Sequence, residues 1–418
     1  MPGRARPPDP EGEDRLASAL LRFRELSSAA GIPEVRVYAT SALREAPNGP
    51  EVAARMRERT GVYPAIISGE REGQLTYLGA ADSVEFGADN VLLDLGAAVW
   101  SLPGGPQAAA DVLSLPLGAI RMTRAFLAEE PPGRKAVRAV QEHVRNLLFP
   151  FAARFQVGPG TRVILSSGTA EAAAMAISAG RGHGGGHING VSFTVAELEA
   201  LLEQARSSRP AARARIPGFE RRGNTIVAGL AVLHAALGLL GAHEVTVSEG
   251  ALREGMLIEE LAQLESYSRT LSVRQRSVLA TAERFGANLA HAGQVATLSR
   301  GLLDALTHLN ERFPEEARAL LTAAAALHEA GLIVSQSSHH KHSAYLIRHA
   351  DLRGFSSRDQ ELIAQIARYH RRSPPKPSHI EYMALPPPTG RWSSGWPPCC
   401  GSPTVWTAPT PAAPGWAI

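Results

Sequence analysis

The pattern of apolar and polar positions changes character along the chain. Up to about residue 256, short apolar runs alternate with segments that repeat at the helical spacing of 3.6 residues, whereas from Val273 to about His379 every strong period is helical. Strands that alternate with helices of this length are typical of a layered α/β domain. The pattern therefore predicts an α/β part followed by an all-helical domain.

Shifts in composition divide the chain further. The first 14 residues are Pro, Gly and charge with nothing to bury, the segment 257–270 is charged and weakly patterned, and the periodicity ends after Pro374. The predicted segments are a disordered N-terminus (1–14), a first α/β domain (15–110), a second α/β domain (111–256), a helical domain (271–386) and a disordered tail (387–418).

Acidic residues are placed for chemistry in the stretch 66–100. The apolar run 91–95 contains Asp94 and is followed by Gly96, the pattern of a buried strand that brings a carboxylate to its C-terminal edge. Glu72 opens a predicted helix, where the helix N-terminus stabilises negative charge. Two such carboxylates can hold a divalent cation and a water molecule, although spacing alone also fits a solvated helix start at Glu72.

Two other segments carry groups that suit a phosphate ligand. The sequence SSGT (166–169) follows a predicted strand and opens a helix, whose first N–H groups and hydroxyls can contact an anion. Arg44 in TSALREA can pair with phosphate through two hydrogen bonds. Each motif is weak when taken alone. SSGT is an isolated tetrapeptide, and most arginines are simply exposed.

The helical domain contains a second candidate, the pair His328 and Glu329 in LHEAG. Phosphohydrolases of the HD type bind metal through a His, an adjacent His-Asp pair and a later Asp. Glutamate is one methylene longer than aspartate, so we expect a metal site here to be disfavoured. The alternative is a structural or phosphate-facing role for the pair.

Charge and cysteine content limit the classes of partner. The net charge of +3 does not call for nucleic acid or an anionic membrane, and no apolar run reaches the roughly 18 residues of a membrane span. The only cysteines, Cys399 and Cys400, are adjacent, which argues against a disulfide framework and a zinc site. These features favour a cytoplasmic protein with neither a nucleic-acid nor a membrane partner.

The ordered segments from about Leu16 to about Pro386 resemble the exopolyphosphatase and guanosine pentaphosphate phosphatase (Ppx/GppA) family. The stretches that carry the resemblance are VYATSALREAPNG, ISGEREGQLTYLG, VLLDLG, SLPLGAIRMT, SSGT, SEGALREGML, ALLTAAAALHEAG and HHKHSAYLIRHADLRGFSSRDQELIAQIARYHRR. The resemblance implies two actin-like (ribonuclease H-like) α/β domains followed by an HD-like helical domain.

The resemblance also implies an activity and the residues that perform it. The family removes terminal phosphate from inorganic polyphosphate, or the 5′ phosphate from guanosine pentaphosphate, with Mg2+ (magnesium), and homodimers are common in it. Both substrates offer a terminal phosphoanhydride, so the sequence does not choose between them. Glu72 falls on the catalytic glutamate, and Asp94, with Glu72, on the magnesium-binding carboxylates. The positions that match phosphate-binding residues are Arg44, Gly96, Ser167, Gly168 and Thr169.

Three departures from the family pattern leave alternatives open. No D-x-G-S-N-S phosphate loop precedes Leu16, the second loop has Ala97, Ala98 and Val99 where the family has glycines and a hydroxyl, and the tail 387–418 turns to Trp, Pro and Cys. We hypothesise that a frameshift produced this tail. One alternative is an impaired or non-catalytic family member that binds polyphosphate or the alarmone; another is an HD-type phosphohydrolase that works through the helical domain.

Overall fold

The computed structural model divides the chain into two compact units, Met1–Tyr267 and Ser268–Ile418. It describes residues 10–32, 34–86, 89–95, 99–103, 109–154, 157–158, 161–182, 187–262, 271–308, 313–314, 316–371, 375–376, 378–383 and 385. The first unit contains strands and helices, and the described part of the second is helical. The predicted order, an α/β part followed by a helical part, is confirmed.

The first unit begins with a small α/β layer. Its elements are α1 (Pro10–Ala29), β1 (Val37–Ala39), α2 (Ser41–Arg44), α3 (Gly49–Thr60), β2 (Pro64–Ile66) and α4 (Gly69–Ser83). Strands β1 and β2 pair in parallel, and the intervening helices make the crossover that parallel pairing requires. Apolar side chains from α1, α2 and α3 pack with those of the two strands into one small core.

The rest of the first unit surrounds a six-stranded sheet. Its elements are β3 (Asn90–Asp94), β4 (Val99–Pro103), β5 (Ala109–Ser114), α5 (Ala119–Phe126), α6 (Arg134–Leu148), a 3-10 helix (Phe149–Arg154), β6 (Arg162–Leu165), α7 (Gly168–Gly180), β7 (Ser192–Thr194), α8 (Val195–Ser207), α9 (Pro210–Arg213), α10 (Ile226–Leu240), β8 (Glu244–Val247) and α11 (Leu252–Leu261). The strand order is β5-β4-β3-β6-β8-β7. Strands β3, β6 and β8 are parallel, whereas β4 is antiparallel to both of its neighbours.

Both faces of this sheet are covered. Val91 and Leu93 point into the main core, which the sheet shares with α6, α7, α8 and α10. Leu92, between them, joins Tyr77 of α4 in a second core on the opposite face. Successive side chains of a strand point to opposite faces, so a central parallel strand covered on both sides must be apolar throughout, as the run 91–93 is.

The second unit is built from helices around its own core. Its elements are α12 (Val273–Arg284), α13 (Leu289–His308), α14 (Ala317–Leu327), a 3-10 helix (Ala330–Ile333), α15 (His339–Arg348), α16 (Ser357–Arg368) and α17 (Ile380–Met383). Side chains from α12, α13, α14, α15 and α16 form the core. No helix in the described parts of either unit combines the length and the apolar character needed to cross a membrane.

The N-terminus differs from its prediction. We expect disorder over residues 1–14, yet α1 begins at Pro10. The first turn is held by ion pairs to α3: the Glu13 carboxylate accepts two hydrogen bonds from Arg55, at 3.0 and 2.6 Å, and Asp14 pairs with Arg59. The prediction for residues 10–14 is therefore wrong, because charged residues without apolar neighbours can be ordered by partners far along the chain. Residues 1–9 and the predicted tail 387–418 lie outside the described residues.

The sheet also places two segment limits differently. The predicted limit between residues 110 and 111 falls inside β5, and the limit after residue 256 falls inside α11. The strands from Asn90 to Ser114, assigned by sequence mostly to the first α/β domain, lie in the sheet that contains β6 and β8. Ladder hydrogen bonds between segments 50 or more residues apart fix this membership, and local periodicity does not report them.

Candidate active site at the carboxyl edge of the sheet

Three parallel strands bring polar residues to one edge of the sheet. Asp94 is the last residue of β3. The residues that follow β6 and β8 continue the pairing: Ser166 N donates to Leu93 O at 2.9 Å, and Ser248 N donates to Leu165 O at 2.9 Å. Asp94, Ser166 and Ser248 therefore lie side by side. Ligands of open α/β sheets bind outside the carboxyl ends of the strands, so this edge is the candidate site.

Helix α4 begins at the same edge. Asp94 pairs in register with Val99, and Val99 with Ser114, so Ser114 lies about 10 Å from Asp94, two interstrand spacings of about 4.8 Å. A Cβ on Gly69 would come within 2.5 Å of Ser114 Oγ. The first turn of α4 can approach the sheet this closely only because residue 69 is glycine, and Glu72 lies in the same turn.

Glu72 is buried and held by an arginine. The residue is only 6% exposed to solvent. Its Oε2 accepts a hydrogen bond from Arg44 Nη1 at 2.8 Å. The same Nη1 donates to Ile67 O at 3.0 Å, which fixes the guanidinium between β2 and α4. Ser68 caps α4 by accepting from Arg71 N. Glu72 is thus a fixed carboxylate in the first turn of a capped helix rather than a solvated surface group.

The N-terminus of α7 meets the edge beside Asp94. Ser167 caps this helix, its Oγ accepting from Ala170 N at 3.2 Å. A Cβ on Gly168 would lie 1.9 Å from Arg222 Nη2, so the guanidinium of Arg222 covers the helix start. The first N–H groups of a helix have no partner within it, and a guanidinium next to them makes the position suited to an anion.

One predicted phosphate-binding residue, Thr169, turns its side chain to another contact, and a second, Gly96, is not described. Thr169 is buried, and its side chain packs against Gly229 of α10, where an added Cβ would meet Thr169 Oγ1 at 2.7 Å. Thr169 is the second residue of α7, so its N–H belongs to the helix start although its side chain packs against α10. Gly96, together with Ala97 and Ala98 of the predicted second phosphate loop, lies outside the described residues.

Sequence reasoning missed an acidic and a basic residue at this helix start. Glu171 lies in the first turn of α7, and burial raises the pKa of its carboxyl, an effect opposed by Arg222 and Arg253 and reinforced by Glu254. A raised carboxyl pKa next to arginines is typical of functional sites, although structural ion pairs also produce it. Glu171 follows SSGT by two positions, which is the signal that could have drawn attention to it.

Helices α4 and α11 pack antiparallel at very short range beside this edge. A Cβ on Gly255 would lie 1.7 Å from Leu75 O, and a Cβ on Gly79 would lie 2.0 Å from Ala251 O. Arg71 of α4 and Glu259 of α11 form an ion pair along the same contact. Glycines thus let two backbones touch, and this contact fixes the helix that carries Glu72.

The second unit places its predicted pair in a cluster of histidines. His328 is buried at the end of α14, and its Nδ1 donates to Ala325 O at 2.7 Å. Burial lowers the pKa of His328. Glu329 is partly exposed, and its Oε1 lies 3.9 Å from Nε2 of His291 on α13. The longer glutamate side chain therefore does reach a histidine nitrogen.

Comparison with known proteins identifies the family. Residues 8–264 match the Ppx/GppA phosphatase family, and residues 273–385 match Ppx/GppA phosphatase, domain III. The chain belongs to the Ppx/GppA phosphatase family. The family that the sequence motifs indicate is confirmed over both units.

Similar proteins include two enzymes and one solved structure. The chain is 31% identical over 274 residues to Exopolyphosphatase 1 of Mycobacterium tuberculosis, covering 63% of this chain and 79% of that protein. It is 27% identical over 342 residues to guanosine-5'-triphosphate,3'-diphosphate pyrophosphatase of Pseudoalteromonas translucida, covering 81% and 66%. An exopolyphosphatase structure from Cytophaga hutchinsonii superposes with a TM-score of 0.56 at 22% identity, covering 62% of this chain and 85% of that one.

The structural likeness concerns the fold. It shows the mixed α/β, actin-like architecture of Ppx/GppA proteins followed by a helical C-terminal domain, as the sequence predicts at that level. The match of residues 273–385 to domain III of the family assigns the helices to that domain. Whether the helical domain is HD-like stays a prediction.

Proposed function

We propose that this protein hydrolyses the terminal phosphoanhydride of inorganic polyphosphate or removes the 5′ phosphate of guanosine pentaphosphate. The observation that carries the proposal is the hydrogen bond from Arg44 that holds the buried Glu72 carboxylate in the first turn of α4, in a chain of the Ppx/GppA family whose strand β3 ends in Asp94. Relatives named for each substrate support both choices. The same names weigh against the alternative of a non-catalytic binding protein.

In this proposal Glu72 orients and deprotonates the attacking water. A general base must be fixed within hydrogen-bonding reach of its proton, and the bond from Arg44 fixes Glu72. Because Arg44 occupies Oε2, the water would meet Oε1. When the water loses its proton to Glu72, its oxygen attacks the terminal phosphorus and the bond to the bridging oxygen breaks.

Carboxylate oxygens are the ligands that Mg2+ prefers, and Asp94 supplies such a group at the strand end. The donor chemistry therefore fits magnesium, with Asp94 and Glu72 as the carboxylates that would hold it. When bound there, Mg2+ would neutralise charge on the phosphate oxygens.

The start of α7 would hold the phosphate. The N–H groups of Gly168 and Thr169 and the guanidinium of Arg222 would donate to its oxygens, with Ser167 capping the helix. This assigns Thr169 a backbone role, since its hydroxyl packs against α10. Charge that develops in phosphoryl transfer is stabilised mainly by such fixed donors.

The proposal also covers the helical domain and the assembly of the protein, neither of which takes part in the chemistry. We propose an HD-like identity for the helical domain, in keeping with its match to the family's domain III, and assembly as a homodimer, as is common in the family.

The test is release of orthophosphate from long-chain polyphosphate and from guanosine pentaphosphate, each measured with Mg2+ and with EDTA. We expect Mg2+-dependent release from at least one substrate, and the ratio of the two kcat/KM values to identify the preferred one. Binding of either substrate without any release would contradict hydrolysis and support the non-catalytic alternative.

A further inference from the structure

The second unit brings two histidines and a glutamate together from separate helices. Ligand atoms of His291, His328 and Glu329 all lie within 4.8 Å of one another, and His291 Nε2 is 3.9 Å from Glu329 Oε1. His291 lies near the start of α13, and His328 and Glu329 lie in the turn that joins α14 to the following 3-10 helix. Among the described residues, no other group of His, Cys, Asp and Glu meets this criterion.

His328 is oriented as a metal ligand would be. Its Nδ1 lies 2.7 Å from Ala325 O. A carbonyl oxygen only accepts, so Nδ1 carries the proton and Nε2 carries the lone pair of the neutral ring. Metal-binding histidines commonly donate their second N–H to a backbone carbonyl in this way, which fixes the ring and the tautomer.

The backbone around His328 and Glu329 is itself fixed. Ser343 of α15 donates to His328 O at 2.7 Å and accepts from Gly331 N at 2.8 Å. A Cβ on Gly331 would lie 2.2 Å from His339 O, so the turn after Glu329 is pressed against α15. The ligand-bearing turn is therefore held from both sides.

The spacing of the three side chains fits a transition metal after a small adjustment. Zinc bonds of about 2.0–2.1 Å place tetrahedral ligands roughly 3.4 Å apart, so the group must close by about 0.5–1.4 Å. The side chains of His291 and Glu329 are 41% and 29% exposed, which leaves them room to rotate toward the fixed His328. The extra methylene of glutamate supplies reach here.

Two neighbouring histidines bond to each other. Nε2 of His339 and Nε2 of His370 are 3.3 Å apart, and the rings are stacked. His370 Nδ1 donates to Ala367 O at 2.6 Å, and Arg371 Nη1 contacts His339 Nδ1 at 3.3 Å. This pair lies against the His328 ring, whose centroid is 5.0 Å from that of His370. The pair therefore packs against the site and supports it. A four-coordinate metal bound by three side chains would keep one coordination position for water or an anion.

We propose that His291, His328 and Glu329 bind a divalent first-row transition metal within the helical unit. Two imidazoles and a carboxylate are a donor set of zinc sites that keep an open coordination position. This site is formed by residues other than those of the candidate active site, and it does not depend on the proposed phosphohydrolase activity.

Zinc binding by the full-length chain tests the proposal. Metal-free protein carrying Cys399→Ser and Cys400→Ser, which removes the tail thiols, is titrated with Zn2+ against a chromophoric chelator. We expect one tight equivalent of Zn2+ and a rise in Tm when it binds, because a ligand that binds only the folded state stabilises it. His291→Ala and Glu329→Gln should each weaken binding at least about tenfold, since loss of an outer-shell partner alone costs that much.

The control is His308→Ala, which removes an exposed histidine at the other end of α13. It should leave the zinc affinity unchanged. Far-UV circular dichroism of the metal-free variants checks that His291→Ala and Glu329→Gln remain folded. The proposal is overturned if no tight equivalent is found, if the two ligand variants bind as the parent does, or if His308→Ala weakens binding equally.

Discussion

Arg44 is the side chain on which the placement of Glu72 depends. Its Nη1 bridges Ile67 O and Glu72 Oε2, so one guanidinium nitrogen joins the end of β2 to the first turn of α4. The Glu72 carboxylate is almost fully buried, and a buried carboxylate that loses its partner pays the full cost of desolvation. Position and stability of the candidate base are thus coupled through one residue.

We therefore expect Arg44→Met to reduce both stability and activity. The free energy of unfolding should fall by about 1–3 kcal/mol, because Glu72 is left buried without its donor. The kcat/KM for phosphate release should fall more than tenfold, as displacement of a catalytic group by about 1 Å can cost about 100-fold. Denaturant titration and steady-state kinetics measure the two effects.

The matched control is Arg57→Met, on the exposed side of α3. It removes the same charge and should change the free energy of unfolding by no more than about 0.5 kcal/mol. Equal effects of Arg44→Met and Arg57→Met would show that net charge, and not the bond to Glu72, is responsible.

At this scale the sequence predicts some residues and not others. Glu72 and Arg44 stand in recognisable motifs, but their hydrogen bond joins residues 28 positions apart and local spacing does not report it. Arg222 reaches the start of α7 from 54 positions away, with no motif around it. Long-range contacts of this kind are set by the assembled fold.

The α4–α11 contact is the element-scale feature that holds Glu72 in place. Gly255 and Gly79 bring the two helix backbones into contact, and neither backbone can yield as a flexible side chain would. The sequence predicts the two helices but not their contact, because a glycine within a helix is compatible with many environments.

Gly255→Ala should separate these helices. The new Cβ would lie 1.7 Å from Leu75 O, a backbone atom, so we expect a loss of about 1–3 kcal/mol in the free energy of unfolding together with reduced phosphate release. The control is Gly238→Ala at a helical glycine of α10, whose added Cβ would meet no atom of another element within 4 Å. It should be neutral or stabilise by up to about 1 kcal/mol. A neutral Gly255→Ala in denaturant titration would refute the tight contact.

Secondary structure itself follows the sequence closely where apolar periodicity is strong. The strand Arg162–Leu165 and the helix after SSGT lie where the pattern predicts them. Strand β4 is not predicted from the sequence. It is defined by its pairing with β3 and β5, and apolar periodicity does not report strand pairing. The helical start at Pro10 is missed for the related reason that ion pairs to α3 order it.

At the scale of the whole molecule, the α/β-then-helical order can be predicted because the period of the pattern changes once, near residue 271. The sheet order cannot, because β3 pairs with β6 across some 70 residues. That pairing is what places Asp94 beside Ser166 and makes the candidate site. Glu72, the proposed catalytic carboxylate, stands in a recognisable motif, but its surroundings are set by the assembled fold.

The most direct measurement is kcat for orthophosphate release by Glu72→Gln, with Glu70→Gln as the control. Glu70 lies in the same helical turn but is exposed. The amide keeps the shape of the side chain and cannot act as a base, so kcat of Glu72→Gln should fall by a factor of about 100 or more while Glu70→Gln stays near the parent value. Near-parental kcat in a folded Glu72→Gln variant would contradict the assignment.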